Sequence, residues 1–303
     1  MGSWVCQRLL ELDAEVVCVD SFLTGQRENL RHLEDHPGFS LLEQDVSAGL
    51  EVDGDVHLVL HLASPASPAH YLALPIETMK VGSLGTMHAL ELADRRRARF
   101  VLASTSEVYG DPLEHPQRET YWGNVNPVGP RSVYDESKRF AEALTTAYRT
   151  DRGVDTAIVR IFNTFGPRMR VDDGRAIPAF MSQALAGRPV TVAGDGSQTR
   201  SLCYVEDTVE GILALAVSGA AGPVNIGSSE ETSMLELARR VVELTGSSSP
   251  IEFVALPVDD PRVRRADTTL ACELLGWEPR VPVAVGLERT LAWFAEQGAA
   301  ATP

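Results

Sequence analysis

Long apolar runs are missing from this sequence. No stretch approaches the roughly 18 residues that a membrane-spanning helix needs, and the N-terminus lacks the basic-then-apolar order of a secretory signal, so a cytoplasmic protein with no membrane partner is expected. Cysteine is scarce. The four residues at 6, 18, 203 and 272 show no Cys-x-x-Cys or other ligand spacing, which argues against a metal centre and predicts buried thiols. Cations are in deficit: 27 Lys and Arg stand against 42 Asp and Glu, a formal net charge of −15. Such a field repels nucleic acid and anionic membranes, so an anionic substrate must be met by a local cluster of cations. Repeats and low-complexity tracts are absent too, apart from the small-residue tail Gly298 to Pro303, which is expected to fray.

What remains is an ordinary globular composition, with 303 residues, 44% hydrophobic and 23% charged, enough for one large or two modest domains with a sizeable core. Trp4 to Leu12 reads as an amphipathic helix, and Glu15–Asp20, Phe39–Gln44 and Val56–Leu62 as strands. The alternation continues with a helix over 79–95, strand Arg99–Ala103, a helix from Ser132 to Arg152 and strand Thr156–Phe162. This pattern predicts an α/β fold with a doubly wound, Rossmann-like parallel sheet. Beyond about residue 165 the rhythm loosens around Phe165-Gly-Pro-Arg168 and Ala193-Gly-Asp-Gly-Ser197, with helices near 206–218, 231–245 and 283–298. Residues 1–165 are therefore read as a dinucleotide-binding domain and 166–303 as a smaller, partly interwoven substrate-binding lobe. Arg95-Arg-Arg97 closes a helix, where cations complement the helix dipole.

A dinucleotide unit opens with a strand and a Gly-rich turn, and the next helix points its positive N-terminus at the pyrophosphate. Gly2, the following helix and Val16-Val-Cys-Val-Asp20 have the spacing of the last glycine, helix and second strand of such a unit. Gly2 alone also suits a flexible terminus. Asp20 can accept both hydroxyls of an adenosine ribose and would repel a 2′-phosphate, favouring NAD over NADP; the competing role is a turn cap. Asp45-Val46 follows the third strand, where an adenine edge could be met, and His61-Leu62-Ala63-Ser64-Pro65 leaves the fourth as a stiff turn of small residues. The opening strand and first two glycines of the unit are not in this sequence, so a later-than-natural start and weak NAD binding are expected.

Tyr134 and Lys138 stand four apart in the helix over 132–152 and so share a face. A neighbouring ammonium is expected to lower the Tyr134 pKa, making it a base for removing a hydroxyl proton while hydride leaves the same carbon. Lys138 can also hold a nicotinamide ribose. A surface tyrosine beside a solvated lysine has the same spacing, and context decides between them. Val101-Leu-Ala-Ser-Thr105-Ser106-Glu107 places hydroxyls and a carboxylate past the C-terminal end of a strand, where open α/β sheets bind ligands.

From residue 2 to about 295 the sequence resembles the extended short-chain dehydrogenase/reductases acting on nucleotide sugars, and among them the UDP-glucuronate decarboxylases, or UDP-xylose synthases. The resemblance rests on His61-Leu-Ala-Ser-Pro-Ala-Ser-Pro68, Ser104-Thr-Ser-Glu-Val-Tyr-Gly-Asp-Pro112, Tyr121-Trp-Gly-Asn-Val-Asn-Pro127, Gly129-Pro-Arg-Ser-Val-Tyr-Asp-Glu-Ser-Lys138, Arg160-Ile-Phe-Asn-Thr-Phe-Gly-Pro-Arg168 and Gly194-Asp-Gly-Ser-Gln-Thr-Arg-Ser201. It implies that NAD oxidises C4 of UDP-glucuronate, the β-keto acid loses CO2, and NADH reduces the 4-keto-pentose to UDP-xylose. It assigns Thr105 to the C4 oxygen, Tyr134 to proton transfer there, and Ser106 and Glu107 to the carboxylate end of the sugar. Asn163, Arg168 and Arg200 match positions that grip the diphosphate or line the sugar pocket. Arg264, in a run that is otherwise a plausible solvated surface loop, matches an arginine brought to the carboxylate or phosphate, as acid or clamp. A homodimer packed through the Tyr134 helix and its neighbour is implied as well.

The sequence departs from that pattern at Gly82, where the family has Asn, and at Ala266, where it usually has Pro. Competing readings are a 4-epimerase or 4,6-dehydratase, against which Ser106-Glu107 argues because dehydratases carry Asp-Glu there, and a catalytically silent binding relative.

Overall fold

The alternation of helix and strand builds a parallel sheet. In the computed structural model, which describes residues 1–300 with side chains to 296, β3 (Leu58–His61), β4 (Arg99–Thr105), β5 (Thr156–Ile161) and the strand Val224–Ile226 run parallel in the order Val224–Ile226, β5, β4, β3. β1 (Val16–Asp20) and β2 (Phe39–Glu43) form a second parallel pair, with Val16 opposite Phe39 and Asp20 opposite Glu43. The doubly wound class is as expected, but the ladder is interrupted between β1 and β3, each of which pairs on one edge among the described residues. Burial follows the pairing. Phe100, Val101 and Leu102 of β4 are at most 1% exposed, as a strand covered on both faces requires, whereas Leu58, Val59 and Leu60 of β3 are half-buried and Val17 of β1 is 47% exposed.

Helix α1 (Gly2–Glu11) spans both segments: Val5 joins the core that includes Val101, with Leu58 and Leu60 packed on it, and Cys6 and Leu10 pack with Val16 and Cys18. The helix expected over 79–95 is three pieces, α3 (Pro75–Lys80), a π-helical segment Val81–Gly85 and α4 (Thr86–Arg96), preceded by the short α2 (Pro68–Ala73). Arg97 closes α4 in the left-handed region, φ 53°. Helix α5 (Ser132–Arg152) has the expected limits. It buries Tyr134, Ser137, Lys138, Ala141 and Thr145 along one stripe and stops at Gly153, φ 71°.

The second part of the chain packs helices Ala176–Leu185, Val205–Val217, Met234–Thr245 and Val283–Ala300 around small sheets. The first of these helices, α2, and Thr269–Leu275 escaped the periodicity reading. In one sheet Thr199–Ser201 lies between antiparallel Glu231–Ser233 and parallel Val263–Arg264. Because Val224–Ile226 returns to the main sheet beside β5, the two parts are interwoven.

Two local expectations change. Cys6 and Cys203 are buried and Cys18 partly so, but Cys272 is exposed; all four are free thiols. The last helix continues through Ala300, so residues 298–300 are helical rather than frayed, and 301–303 lie outside the described residues. Among the described residues no helix is long and apolar enough to cross a membrane.

Candidate active site

The reactive groups collect where β4 ends. Thr105 leaves the strand in extended conformation, and its hydroxyl oxygen accepts from the Glu107 N–H at 3.2 Å, capping the short turn Ser106–Tyr109. That cap turns the chain so that Thr105, Ser106 and Glu107 stand at the C-terminal edge of the sheet facing the first turns of α5. Tyr134, 5% exposed, has its phenol close to the Thr105 hydroxyl and its ring stacked on Tyr71, with ring centroids 5.2 Å apart and planes 6° from parallel. Lys138 is 4% exposed; its Nζ donates to the Ala103 carbonyl at 2.9 Å and lies 5.9 Å from the Tyr134 ring centre.

Tyr134 and Lys138 are thus brought together, but their electrostatics differ from the expectation. Burial raises the Tyr134 phenol above its ordinary value, against the smaller opposing effect of the neighbouring Thr105 hydroxyl. The same burial pushes the Lys138 ammonium down to about 8. Desolvation of both groups outweighs their mutual effect.

Glu107 is the electrostatic centre. Its carboxylate accepts from Arg131 at 2.7 Å and pairs with Arg264 at 3.4 Å. Burial works to raise its pKa, but the Arg264 and Arg131 guanidinium groups overrule it and hold the acid at about 2. Arg264, 0% exposed, is no surface loop residue: it donates to the Ser106 carbonyl and to the Gly110 carbonyl at 3.0 Å, locking the turn from behind. It is placed there by register, because Arg264 and Arg200 sit opposite one another on paired strands. Arg200 in turn donates to Asp260 at 3.0 Å. Glu107 and Arg131 border a cavity of about 290 Å³ whose lining is otherwise acidic or neutral and includes Asp111, Asp135, Asp259 and Asp260. Behind it Arg131, Arg200 and Arg264 gather on Glu107 and Asp260, a local cluster of cations in an acidic chain.

Three residues of this cluster were missed in the sequence. Arg131 and Tyr71 flank Glu107 and Tyr134, with the Arg131 guanidinium 6.0 Å from the Tyr71 ring centre. Asp135 is 5% exposed, and its Oδ1 has no protein partner. Burial, and then the charge of Glu107, push its carboxyl up to about 8. Adjacency to Tyr134 was the available signal for Asp135, but charge next to a motif does not reveal burial.

The remaining candidates lie apart from this cluster. Arg168 stacks over Trp4 at 4.1 Å and donates to Gln7 at 2.5 Å, with its Nη1 buried and unpartnered, so the structure places it against α1 rather than beside Arg200. Asn163 is half-buried and its carbonyl accepts from the Cys203 N–H. Asp20 accepts from the Phe22 N–H at 2.8 Å, the turn-capping role, while Gly25 approaches its carboxylate so closely that a Cβ there would sit 3.2 Å from both oxygens. Asp45 caps the turn Val46–Ala48 through the Ser47 N–H; the Val46 side chain is buried in the core, which leaves only its backbone for a ligand. Leu62, Ala63 and Ser64 are half-buried past β3, and the Ser64 hydroxyl oxygen is buried without a partner. Gly2 opens α1, which has no side-chain cap, and a Cβ at Gly2 would meet nothing within 4 Å.

This donor set suits a dinucleotide: an uncapped helix N-terminus, the unpartnered Ser64 hydroxyl and Arg168 Nη1, the free oxygen of Asp20, and Lys138 with a single carbonyl partner. The comparisons agree. The profile of the NAD dependent epimerase/dehydratase family matches residues 1–227. UDP-glucuronic acid decarboxylase 1 of Arabidopsis thaliana is 49% identical over 294 residues, 97% of this chain and 67% of its own length, and UDP-glucuronic acid decarboxylase 3 of the same plant is 49% identical over 95% of this chain and 84% of its own. Among solved structures, the UDP-glucuronic acid 4-epimerase of Bacillus cereus, in complex with UDP-glucuronic acid and NAD, superposes with a TM-score of 0.87 at 28% identity, covering 98% of this chain and 96% of that one. The chain belongs to the NAD dependent epimerase/dehydratase family, alongside the UDP-glucuronic acid decarboxylases.

Proposed function

We propose that this protein converts UDP-glucuronate to UDP-xylose and CO2. The observation that carries the reading is Glu107, held ionised between Arg131 and Arg264 one residue beyond Ser106 and two beyond Thr105, with the Tyr134 phenol close to that same threonine. NAD, when bound, would supply reversible hydride transfer at C4 of the sugar. Gly2, Asp20, the backbone at Asp45-Val46, Leu62, Ala63, Ser64 and Lys138 would hold it.

Tyr134 moves the proton of the C4 hydroxyl, and the Thr105 hydroxyl holds the C4 oxygen beside it. With a ketone at C4, the electron pair of the breaking C5–C6 bond passes into a C4 enolate, and the Tyr134 and Thr105 donors stabilise the charge that develops there. Ser106 and Glu107 serve the carboxylate end of the sugar, with Arg131 and Arg264 fixing the Glu107 oxygens. Glu107 is held ionised near neutral pH, whereas Asp135 keeps its proton there, which makes Asp135 the acid within the cavity for protonating C5. Arg200 and Asn163 are assigned to the nucleotide diphosphate and sugar; Arg168, against α1, is assigned to the phosphates nearest the cofactor. The boundary near residue 165 separates the NAD-binding part from the nucleotide-sugar lobe.

We also infer a cytoplasmic homodimer. Leu72, Ile76, Met79 and Leu84 on the stretch from α2 through the π segment, and Phe140 on α5, are between 42% and 59% exposed, an apolar face that a second copy would cover; four unpaired thiols fit a reducing compartment.

The deciding experiment incubates the protein with UDP-glucuronate and NAD and resolves nucleotide sugars by chromatography and mass spectrometry. A UDP-pentose is expected. A product isomeric with the substrate would make it an epimerase, loss of water a dehydratase, and no product with no NAD affinity a silent relative. If Glu107→Gln released CO2 at the parent rate, the role given to Glu107 would be wrong.

A further inference from the structure

The residue that departs from the family pattern, Gly82, lies against the helix that carries the catalytic pair. It sits in the π segment Val81–Gly85, fully buried, and a Cβ built on it would stand 2.6 Å from Cβ of Ser137, 2.9 Å from its Oγ and 3.2 Å from its carbonyl oxygen. Its backbone is not in the left-handed region, so space and not conformation demands glycine. Ser137 belongs to the turn of α5 between Tyr134 and Lys138, and its hydroxyl donates to the Tyr134 carbonyl at 2.8 Å.

The π segment is itself tightly seated: a Cβ at Gly85 would lie 3.0 Å from Val46, and Val81 is buried in the same core as Val46 and Ala141. Bulk added at residue 82 must therefore displace α5. Restoring ordinary contact means moving it by about 1 Å, a misplacement that costs on the order of 100-fold in rate when it falls on reacting groups. Such a shift would pull the Lys138 Nζ from the Ala103 carbonyl and the Tyr134 phenol from Thr105.

We propose that Gly82 and Ser137 form a matched contact that sets how far α5 pushes Tyr134 and Lys138 toward the end of β4, so that Gly82 is a positioning residue. The inference rests on the roles given above to Tyr134 and Lys138. It predicts that glycine at 82 is no defect but the counterpart of a side chain at 137, and that adding one requires removing the other.

The test compares wild type, Gly82→Ala, Ser137→Gly and the double variant, each first shown to be folded by circular dichroism and thermal melting. With UDP-glucuronate and NAD, Gly82→Ala should lose about 100-fold in kcat with KM changed less than about threefold, and Ser137→Gly in that background should recover at least about tenfold. A purely structural contact would lower the melting temperature of Gly82→Ala and leave the kcat of its folded fraction unchanged. Wild-type kcat in folded Gly82→Ala, or a double variant as slow as the single one, overturns the proposal. Should Gly82→Ala not fold, Ser137→Val presses on the same contact from the other side and must lower kcat in the same way. Crystal structures of Gly82→Ala and the double variant keep this test separate from the functional reading: α5 displaced from Ala103 in the first and restored in the second supports the contact even if wild type makes no UDP-pentose, and an unmoved α5 refutes it.

Discussion

Around β4 almost every group the site uses already has a protein partner, while around β1 and β3 the groups facing the cofactor stand with one partner or none. Glu107 holds two guanidinium groups, Lys138 a carbonyl, and Tyr134 is stacked on Tyr71. Asp20, by contrast, accepts a single N–H from its own turn, and the Ser64 hydroxyl has no partner at all. The strands repeat the contrast, with Leu102 fully buried and Leu60 half-buried. Reactive geometry is thus built from intramolecular contacts, while the cofactor side keeps polar groups in reserve for a ligand.

The largest expected effect lies on the prewired side. Tyr134→Phe should lower kcat by about 10³-fold while NAD affinity, measured by titration calorimetry, changes little; a comparable loss of NAD affinity would show that the two sides are not separable. Next comes Arg131→Met, which leaves Glu107 and Asp135 partly uncompensated in the cavity. Breaking a buried pair of this kind costs about 3–5 kcal/mol, and urea unfolding would read the loss, reduced to the extent that Arg264 still holds Glu107. Core truncation sharpens the comparison directly: Leu102→Ala should destabilise by about 3 kcal/mol and Leu60→Ala by about half as much. Equal losses would mean that β3 is as well packed as β4.

The smallest effect over any one pH unit is a slope of stability with pH. Asp135 is raised in the folded protein, so it binds a proton there that the unfolded chain has lost, and its contribution to stability falls as pH rises from its ordinary carboxylate range to about 8. Lys138 is lowered to about 8, so above that pH the unfolded chain holds the extra proton and stability recovers toward pH 10.5. Because the lowered His61 ring and N-terminal amine act in the opposite sense on the acid side, each group is read as a difference between wild type and variant. The stability of wild type relative to Asp135→Asn should fall as pH rises toward 8, and relative to Lys138→Met it should rise from about pH 8 to 10.5, with slopes below about 1.4 kcal/mol per pH unit.

Much of this was legible in residues. The limits of α5 were readable because Gly129-Pro130 and Gly153 bracket a continuous apolar stripe, and β4 because its apolar run ends in Ser-Thr-Ser-Glu. The π segment was not, since a window averaged over 79–95 registers the helical period and not one widened turn. The direction of the Tyr134 shift was misread for a related reason: spacing reveals that Lys138 is near but not that both are dry. Tyr71 lies in a stretch with no motif of its own and Arg131 inside a motif read for Tyr134 and Lys138, and both become functional candidates only once the chain folds them onto Glu107.

The clamp that Arg264 places on the turn after β4 joins residues 158 positions apart. A ribosome makes β4, Tyr134 and Lys138 well before it reaches the arginine that fixes the Ser106 and Gly110 carbonyls. During synthesis, then, the nascent protein carries Tyr134 and Lys138 without the brace that shapes the pocket beside them, which is complete only once residue 264 has been made and packed.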